Sequence, residues 1–130
     1  MARKYVISGF CLIIIGICLG AFGAHGLAGK VSPEKIASFE VGVKYQLYHG
    51  FAFLILGSCL KQLHIDSKFV FYFLLIGVLL FSCSIYILVL QKIINFQLGF
   101  IFGPMTPLGG LLLIIGWVLA FRDYMKFKRE

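Results

Sequence analysis

Four long apolar stretches alternate with short charged segments along the chain, over about residues 5–27, 45–60, 69–90 and 104–121. A hydrocarbon core about 30 Å thick needs roughly 20 residues in each spanning helix. The stretches therefore predict an all-α, polytopic membrane protein. We expect a four-transmembrane-helix bundle that forms a single integral membrane domain over residues 1–130.

The segment before the second stretch has the pattern of a helix on the membrane surface. Ser32 is a candidate N-cap, Pro33 suits the first helical position, and Glu34 complements the positive end of the helix dipole. Apolar residues then recur at helical spacings of three and four: Ile36, Phe39, Val43 and Leu47. We expect a short amphipathic helix in the first outer loop, over about 33–44, which bends near Gly42 before the second span.

The fourth stretch repeats this cap pattern at Thr106 and Pro107. A helix that starts there has only about 15 residues, or about 22 Å, before Arg122, which is less than the core thickness. Two alternatives remain open. Either the helix continues to about Met125, or it starts below the outer surface, segment 98–103 dips into the membrane, and the helix amino terminus faces a sheltered outer pocket.

Glycines recur at spacings of seven or four residues in three of the stretches. Small residues let membrane helices approach each other closely. We expect eight glycines to pack helix on helix: Gly9, Gly16, Gly20, Gly23, Gly50, Gly57, Gly109 and Gly116. Packing inside one bundle is favoured, and a dimer interface is the alternative.

Composition excludes several classes of protein. With 61% hydrophobic and 13% charged residues, the chain departs from soluble domains, which carry about 25% charged residues. The net charge of +7 does not predict binding to nucleic acid, because the basic residues are scattered and form no stripe with interleaved aromatic residues.

The basic residues instead predict the orientation in the membrane. Four crossings place eight of the twelve on the side of the termini and middle loop: Arg3, Lys4, Lys61, Lys68, Arg122, Lys126, Lys128 and Arg129. The other side has four: Lys30, Lys35, Lys44 and Lys92. The positive-inside rule then puts both termini in the cytoplasm, in the plasma (bacterial inner) membrane. Aromatic anchors are expected near the inner interface at Tyr5, Tyr72, Trp117 and Tyr124.

Polar residues of the stretches concentrate toward the outer half. Ionisable groups at membrane depth are costly, so such a group is a hypothesis of a functional site. The candidates for ligand binding or proton handling are His25, Glu40, Tyr45, His49, Ser82, Tyr86 and Thr106. We expect His25 and His49 to lie at matching depths, at the outer ends of the first two spans.

The two histidines have three possible roles. A structural role, in the headgroup region or bonded to a neighbouring helix end, is favoured. Proton handling or ligand binding, together with Glu40 and Tyr86, comes second. A zinc site comes third, because the spacing of two His and one Glu matches no compact ligand motif. We expect no metal and no cofactor, and the absence of nucleophile, phosphate-loop and dinucleotide motifs leaves no catalytic residue to name.

Four separated segments carry a family resemblance: 20–27 (GAFGAHGL), 39–51 (FEVGVKYQLYHGF), 81–86 (FSCSIY) and 103–110 (GPMTPLGG), followed by Gly116 and Trp117. Together they resemble the YgdD/YwdK family of small membrane proteins, which is defined by a domain of unknown function numbered 423. Its eukaryotic relatives are called the transmembrane protein 256 group. Cys83 departs from the pattern, since a glycine or similar small residue is expected there.

The resemblance implies a four-span membrane protein without an established biochemical activity. It also implies signature residues that largely coincide with the polar candidates: His25, Glu40, Tyr45, His49, Ser82, Tyr86, Pro104, Thr106 and Pro107. It adds no substrate.

We expect a non-enzymatic accessory or ligand-binding or lipid-binding component, whose outer polar cluster holds a small ligand, a lipid headgroup or a partner protein. The alternative is a small-solute or proton-coupled transporter in which His25, Glu40 and His49 handle protons. Four spans offer little interior for a pathway, so a transporter requires an oligomer. A membrane enzyme that acts on a lipid or quinone is a third possibility. Expected partners are membrane lipids and either a second copy or another membrane protein.

Overall fold

The computed structural model describes residues 1–65 and 68–127. Two basic residues counted for the orientation, Lys128 and Arg129, lie outside this part of the chain. The described residues form helices joined by short loops, in the order α1 (Ala2–Ala21), a π-helical turn (Phe22–Gly26), α2 (Pro33–Cys59), α3 (Lys68–Ile94), α4 (Gly99–Phe102) and α5 (Met105–Phe127).

Three helical segments of the described chain are long and apolar enough to cross a membrane: Ala2–Gly26, Lys68–Ile94 and Gly99–Lys126. Large apolar side chains remain exposed around the periphery, including Ile14 on α1 and Ile114 on α5. Exposed apolar surface on this scale is typical of contact with lipid. The prediction of an all-α membrane protein is therefore confirmed.

Helix α2 is equally long but less apolar, because its first half carries four charged residues: Glu34, Lys35, Glu40 and Lys44. It runs without interruption through Gly42, so the segment expected as a separate surface helix is the first part of one 27-residue helix. The reason is packing. Phe39 and Val43, which would have faced the membrane surface, are buried, and Gly42 lies directly against the Tyr86 ring on α3.

Helix α5 begins at Met105, so Thr106 and Pro107 lie inside its first turn and do not precede it. The helix continues past Arg122 to Phe127, and its 23 residues extend about 34 Å. The structure thus has the longer of the two helices considered for the fourth stretch. Segment 98–103 contains the short helix α4.

The four long helices are antiparallel to their neighbours, and α2 and α3 form a central pair. Helix α2 packs on α3, while α1 flanks α2 and α5 flanks α3; no extensive backbone approach joins α1 to α5 among the described residues. We call the end where α2 begins the Pro33 end, and the opposite end the Cys59 end. Gly23 meets Phe39 near the Pro33 end, and Gly57 meets Val6 near the Cys59 end.

Glycines allow each flanking helix to approach the central pair. A Cβ on Gly9 would lie 2.9 Å from the carbonyl oxygen of Gly50, and a Cβ on Gly109 would collide with the backbone of Phe81. All eight glycines singled out in the sequence lie within 3.4 Å of an atom of a neighbouring helix in the same chain, measured from such a Cβ. Gly42 and Gly77, which the spacing did not mark, make equally close approaches.

Aromatic residues fill the core near the Cys59 end. Tyr5 is fully buried, with its ring centroid 5.3 Å from that of Phe53 and 4.9 Å from that of Phe71. The prediction that Tyr5 is an interfacial anchor was therefore wrong. Its position four residues before the buried Gly9 turns it toward α2 and α3, whereas Tyr72 and Tyr124 remain exposed.

Candidate functional site

The seven polar candidates do not converge on one site. His25 lies in the π-helical turn and Glu40 lies on α2, and both are exposed. The remaining candidates lie in three separate groups of hydrogen bonds, each of which joins a different set of helices.

The first group crosses the centre of the protein. The Gln46 side chain, only 5% exposed, donates from Nε2 to the Leu12 carbonyl oxygen at 2.9 Å and accepts from the Tyr86 hydroxyl at 2.8 Å. The Ser82 hydroxyl donates to the Gly42 carbonyl oxygen at 2.8 Å. These bonds tie α1, α2 and α3 together and satisfy polar groups that would be costly in a dry interior.

Gln46 was missing from the predicted set of site residues, although the sequence contains a signal for it. It lies three residues after the buried Val43 and seven before the buried Phe53. This spacing puts an amide on the apolar face of a helix, where it needs internal partners.

The second group joins α2 to α5 through His49. Its Nδ1 lies 2.8 Å from the Tyr45 carbonyl oxygen, and its Nε2 lies 3.2 Å from Nε1 of Trp117. A carbonyl oxygen only accepts and an indole N–H only donates. The two contacts together are satisfied by one form of the ring, the neutral tautomer with its proton on Nδ1.

The two histidines lie at different depths, so the expectation of matching depths was wrong. His25 belongs to the turn whose Gly23 contacts Phe39, whereas His49 lies ten residues beyond Phe39 along α2. Ten helical residues extend about 15 Å. The error has a simple cause: α2 begins at Pro33, so a boundary at residue 45 put His49 too close to the start of its helix.

The third group joins α3 to the first turn of α5. Ser84 Oγ lies 2.6 Å from Thr106 Oγ1 and also donates to the Phe81 carbonyl oxygen at 2.9 Å. Thr106 is half-buried, and one side of it borders an open groove.

This α2–α3 groove has a volume of about 390 Å³ and lies between Val41 on α2 and Phe81 and Leu88 on α3, with Thr106 at one side and Lys35 toward the Pro33 end. Its walls are mainly apolar. The Ser38 hydroxyl on the wall is occupied by the Glu34 carbonyl oxygen at 3.0 Å, and the Thr106 hydroxyl is occupied by Ser84.

A second cavity, the loop cleft, lies at the Pro33 end between the last turn of α3 and the segment that leads to α4. It has a volume of about 480 Å³ and is bordered by Lys92, Asn95, Gln97 and Phe100. Gln91 closes the loop by accepting the Leu98 N–H at 2.8 Å. Phe100 is 96% exposed, so this loop presents an aromatic ring outward.

The carboxyl group of Glu34 at the Pro33 end is held in its ionised form. Hydrogen bonds from its own backbone amide and from the Ser32 hydroxyl lower the pKa of the Glu34 carboxyl. Glu34 therefore stays ionised at the positive end of α2.

In residues 1–65 and 68–127, no three His, Cys, Asp or Glu side chains are grouped so that they could hold a metal ion.

Comparison with known proteins gives a family match over residues 19–110, to the family described as "Protein of unknown function (DUF423)". The chain is 37% identical over 125 residues to a UPF0382 membrane protein of Staphylococcus aureus, and the aligned region covers 96% of this chain and 98% of the relative. A UPF0382 membrane protein of Staphylococcus haemolyticus is 38% identical with the same coverage. No solved structure matches the chain significantly.

Proposed function

Because the chain belongs to the DUF423 family, we propose that it is a non-enzymatic, lipid-binding component of the plasma membrane. One observation carries the proposal: the α2–α3 groove opens on the apolar periphery, and its hydroxyl groups already have partners inside the protein. Such walls favour hydrocarbon over a polar solute.

The proposed topology has four crossings. Helix α2 lies along α1 from Phe39, which meets Gly23, to Gly57, which meets Val6. The 18 residue steps from Phe39 to Gly57 extend about 27 Å, close to the thickness of a hydrocarbon core. The polar side chains that lower the hydropathy of α2, Gln46 and His49, are buried between helices, so they do not prevent it from crossing.

The excess of Lys and Arg at the Cys59 end supports cytoplasmic termini. The Pro33 end, with the groove and the loop cleft, then faces outward. The groove lies beside α3 from Phe81 to Leu88, a rise of about 10 Å from the middle of the membrane toward its outer surface. A lipid acyl chain runs in that direction and fits a volume of about 390 Å³.

The environment of His49 gives little support to the alternative of a proton-coupled transporter. Its Nδ1 contacts an acceptor, the Tyr45 carbonyl oxygen, and its Nε2 accepts from the Trp117 N–H. Protonation of Nε2 would therefore break the hydrogen bond from Trp117. His25 and Glu40 are exposed and lie in none of the three hydrogen-bond groups. The central pair also packs directly, with Tyr86 against Gly42, and this leaves a single chain little room for a pathway.

The experiment fills the groove. Val41, 40% exposed on the groove wall, is replaced by tryptophan, and the purified protein is released from nanodiscs for native mass spectrometry. Val118→Trp is the matched control, because Val118 is 58% exposed on α5 outside the groove. We expect the wild type and Val118→Trp to retain one phospholipid. We expect Val41→Trp to retain about tenfold less, which corresponds to about 1.4 kcal/mol.

Two outcomes would overturn the proposal. One is a wild-type protein that is released without lipid under conditions in which it remains folded. The other is equal retention by Val41→Trp and Val118→Trp, since lipid would then be held elsewhere on the surface.

A further inference from the structure

The α2–α3 groove and the loop cleft share one face of α3. Phe81 and Leu88 border the groove, and Lys92 borders the cleft. Phe81 and Lys92 are eleven residues apart, just over three helical turns, so they lie on the same face of α3. The apolar groove therefore leads along a single helix face toward Lys92, whose backbone position is about 16 Å from that of Phe81 along the axis.

A second lysine lies on the opposite wall. Lys35 is the third residue of α2 and borders the groove at its Pro33 end, while Lys92 is two residues before the end of the antiparallel α3. Both ammonium groups thus belong to the same end of the protein. The cleft adds the amide side chains of Asn95 and Gln97, which can donate to phosphate or hydroxyl oxygens.

Among the described residues at this end, neither Glu34 nor Glu40 borders the groove or the cleft. Glu34 is bonded at the start of α2. Glu40 is five residues from Lys35, which turns it more than a third of a turn away from the groove. Lys35 and Lys92 are therefore the charged side chains that line the two cavities, and the ionised Glu34 is the residue before Lys35.

We propose that the groove and the cleft together bind one anionic phospholipid from the leaflet at the Pro33 end. This inference rests on the proposed function. One acyl chain lies between α2 and α3, and the headgroup phosphate lies between Lys35 and Lys92. The exposed Phe96 and Phe100 hold the cleft at the level where aromatic rings favour the membrane interface.

The test compares two lipids that differ only in headgroup. Nanodiscs contain equal amounts of phosphatidylglycerol and phosphatidylcholine with identical acyl chains, and the lipid retained by the protein is identified by native mass spectrometry. A lysine near the headgroups favours anionic lipid by about fivefold. We expect the wild type to retain mainly phosphatidylglycerol. In the double variant with Lys35→Gln and Lys92→Gln, the ratio of retained phosphatidylglycerol to phosphatidylcholine should fall by roughly 25-fold.

Lys44→Gln is the matched control. Lys44 is nine residues from Lys35, two and a half helical turns, so it lies on the opposite face of α2. We expect this variant to keep the wild-type preference. The lysine-to-glutamine changes at the exposed Lys44 and Lys92 alter no buried contact, and circular dichroism verifies the helical content of each variant.

The outcomes separate the two proposals. If the folded wild type retains neither lipid, the lipid-binding function itself fails. If it retains both lipids equally, or if the double variant keeps the full preference for phosphatidylglycerol, the groove still binds lipid but the assignment of an anionic headgroup to these lysines is wrong. A preference lost equally in Lys44→Gln would indicate general surface charge and would also overturn the assignment.

Discussion

His49 shows how a histidine buried between two helices can be structural. The Tyr45 carbonyl oxygen and the Trp117 N–H use its two nitrogens in opposite senses, and the ring contributes a bridge between α2 and α5. The favoured interpretation from the sequence was a structural role in the headgroup region or at a neighbouring helix end, whereas Trp117 lies in the middle of α5. The partner itself could not be inferred, because Trp117 lies 68 residues away and had been assigned to the membrane interface.

The bridge predicts a specific dependence between two side chains. Trp117→Phe removes the only indole N–H and leaves the buried Nε2 of His49 without its donor. We expect a loss of about 1–3 kcal/mol of stability, the cost of an unsatisfied buried polar group. Thermal unfolding in detergent micelles measures it.

The control repeats the change in a His49→Phe background. With the acceptor gone, Trp117→Phe should cost much less, because no nitrogen is left unsatisfied. Equal losses of stability in both backgrounds would show that Trp117 contributes by packing alone and that the hydrogen bond to His49 does not stabilise the protein.

At the scale of helices, the sequence indicated several glycines that pack but not how far each helix extends. Spacing of seven marked Gly109 and Gly116, and both lie against α3. Gly77, on the opposing helix, is isolated in sequence and could not be marked by spacing. The continuous course of α2 also escaped sequence analysis, because charges in its first half imitate a surface helix while Phe39 and Val43 pack inward.

The α3–α5 contact gives a test within one pair of adjacent residues. A Cβ on Gly109 collides with the Phe81 backbone, whereas a Cβ on Gly110 lies 3.7 Å from the Phe81 ring, an ordinary contact. Gly109→Ala should therefore destabilise the protein by about 1–3 kcal/mol, since the helices must separate.

Gly110→Ala is expected to be neutral or to stabilise by up to about 1 kcal/mol, because alanine favours the helix over glycine. Thermal unfolding of the two variants side by side checks the contrast. Similar stability for both would mean that α3 and α5 do not approach each other closely at Gly109.

At the scale of the whole molecule, composition was sufficient for the membrane class and insufficient for the arrangement of helices. The same glycine spacing is compatible with a closed ring of four helices and with a central pair that has one flanking helix on each side. The choice depends on long-range contacts such as Tyr86 with Gly42. The candidate site was affected in the same way, since the groove arises where α5 leaves α2 uncovered beside α3, and no local motif records that gap.

The topology can be tested by single cysteines in a background that lacks the four native ones. Four crossings put Lys30 and Asn95 outside and Lys61 and Lys126 in the cytoplasm. We expect an impermeant maleimide to label Lys30→Cys and Asn95→Cys in intact cells, and to label Lys61→Cys and Lys126→Cys only after permeabilisation. The opposite pattern at all four sites would invert the protein in the membrane. Labelling of positions 30 and 61 from the same side would mean that α2 does not cross, and the groove would then no longer lie along the direction of the acyl chains.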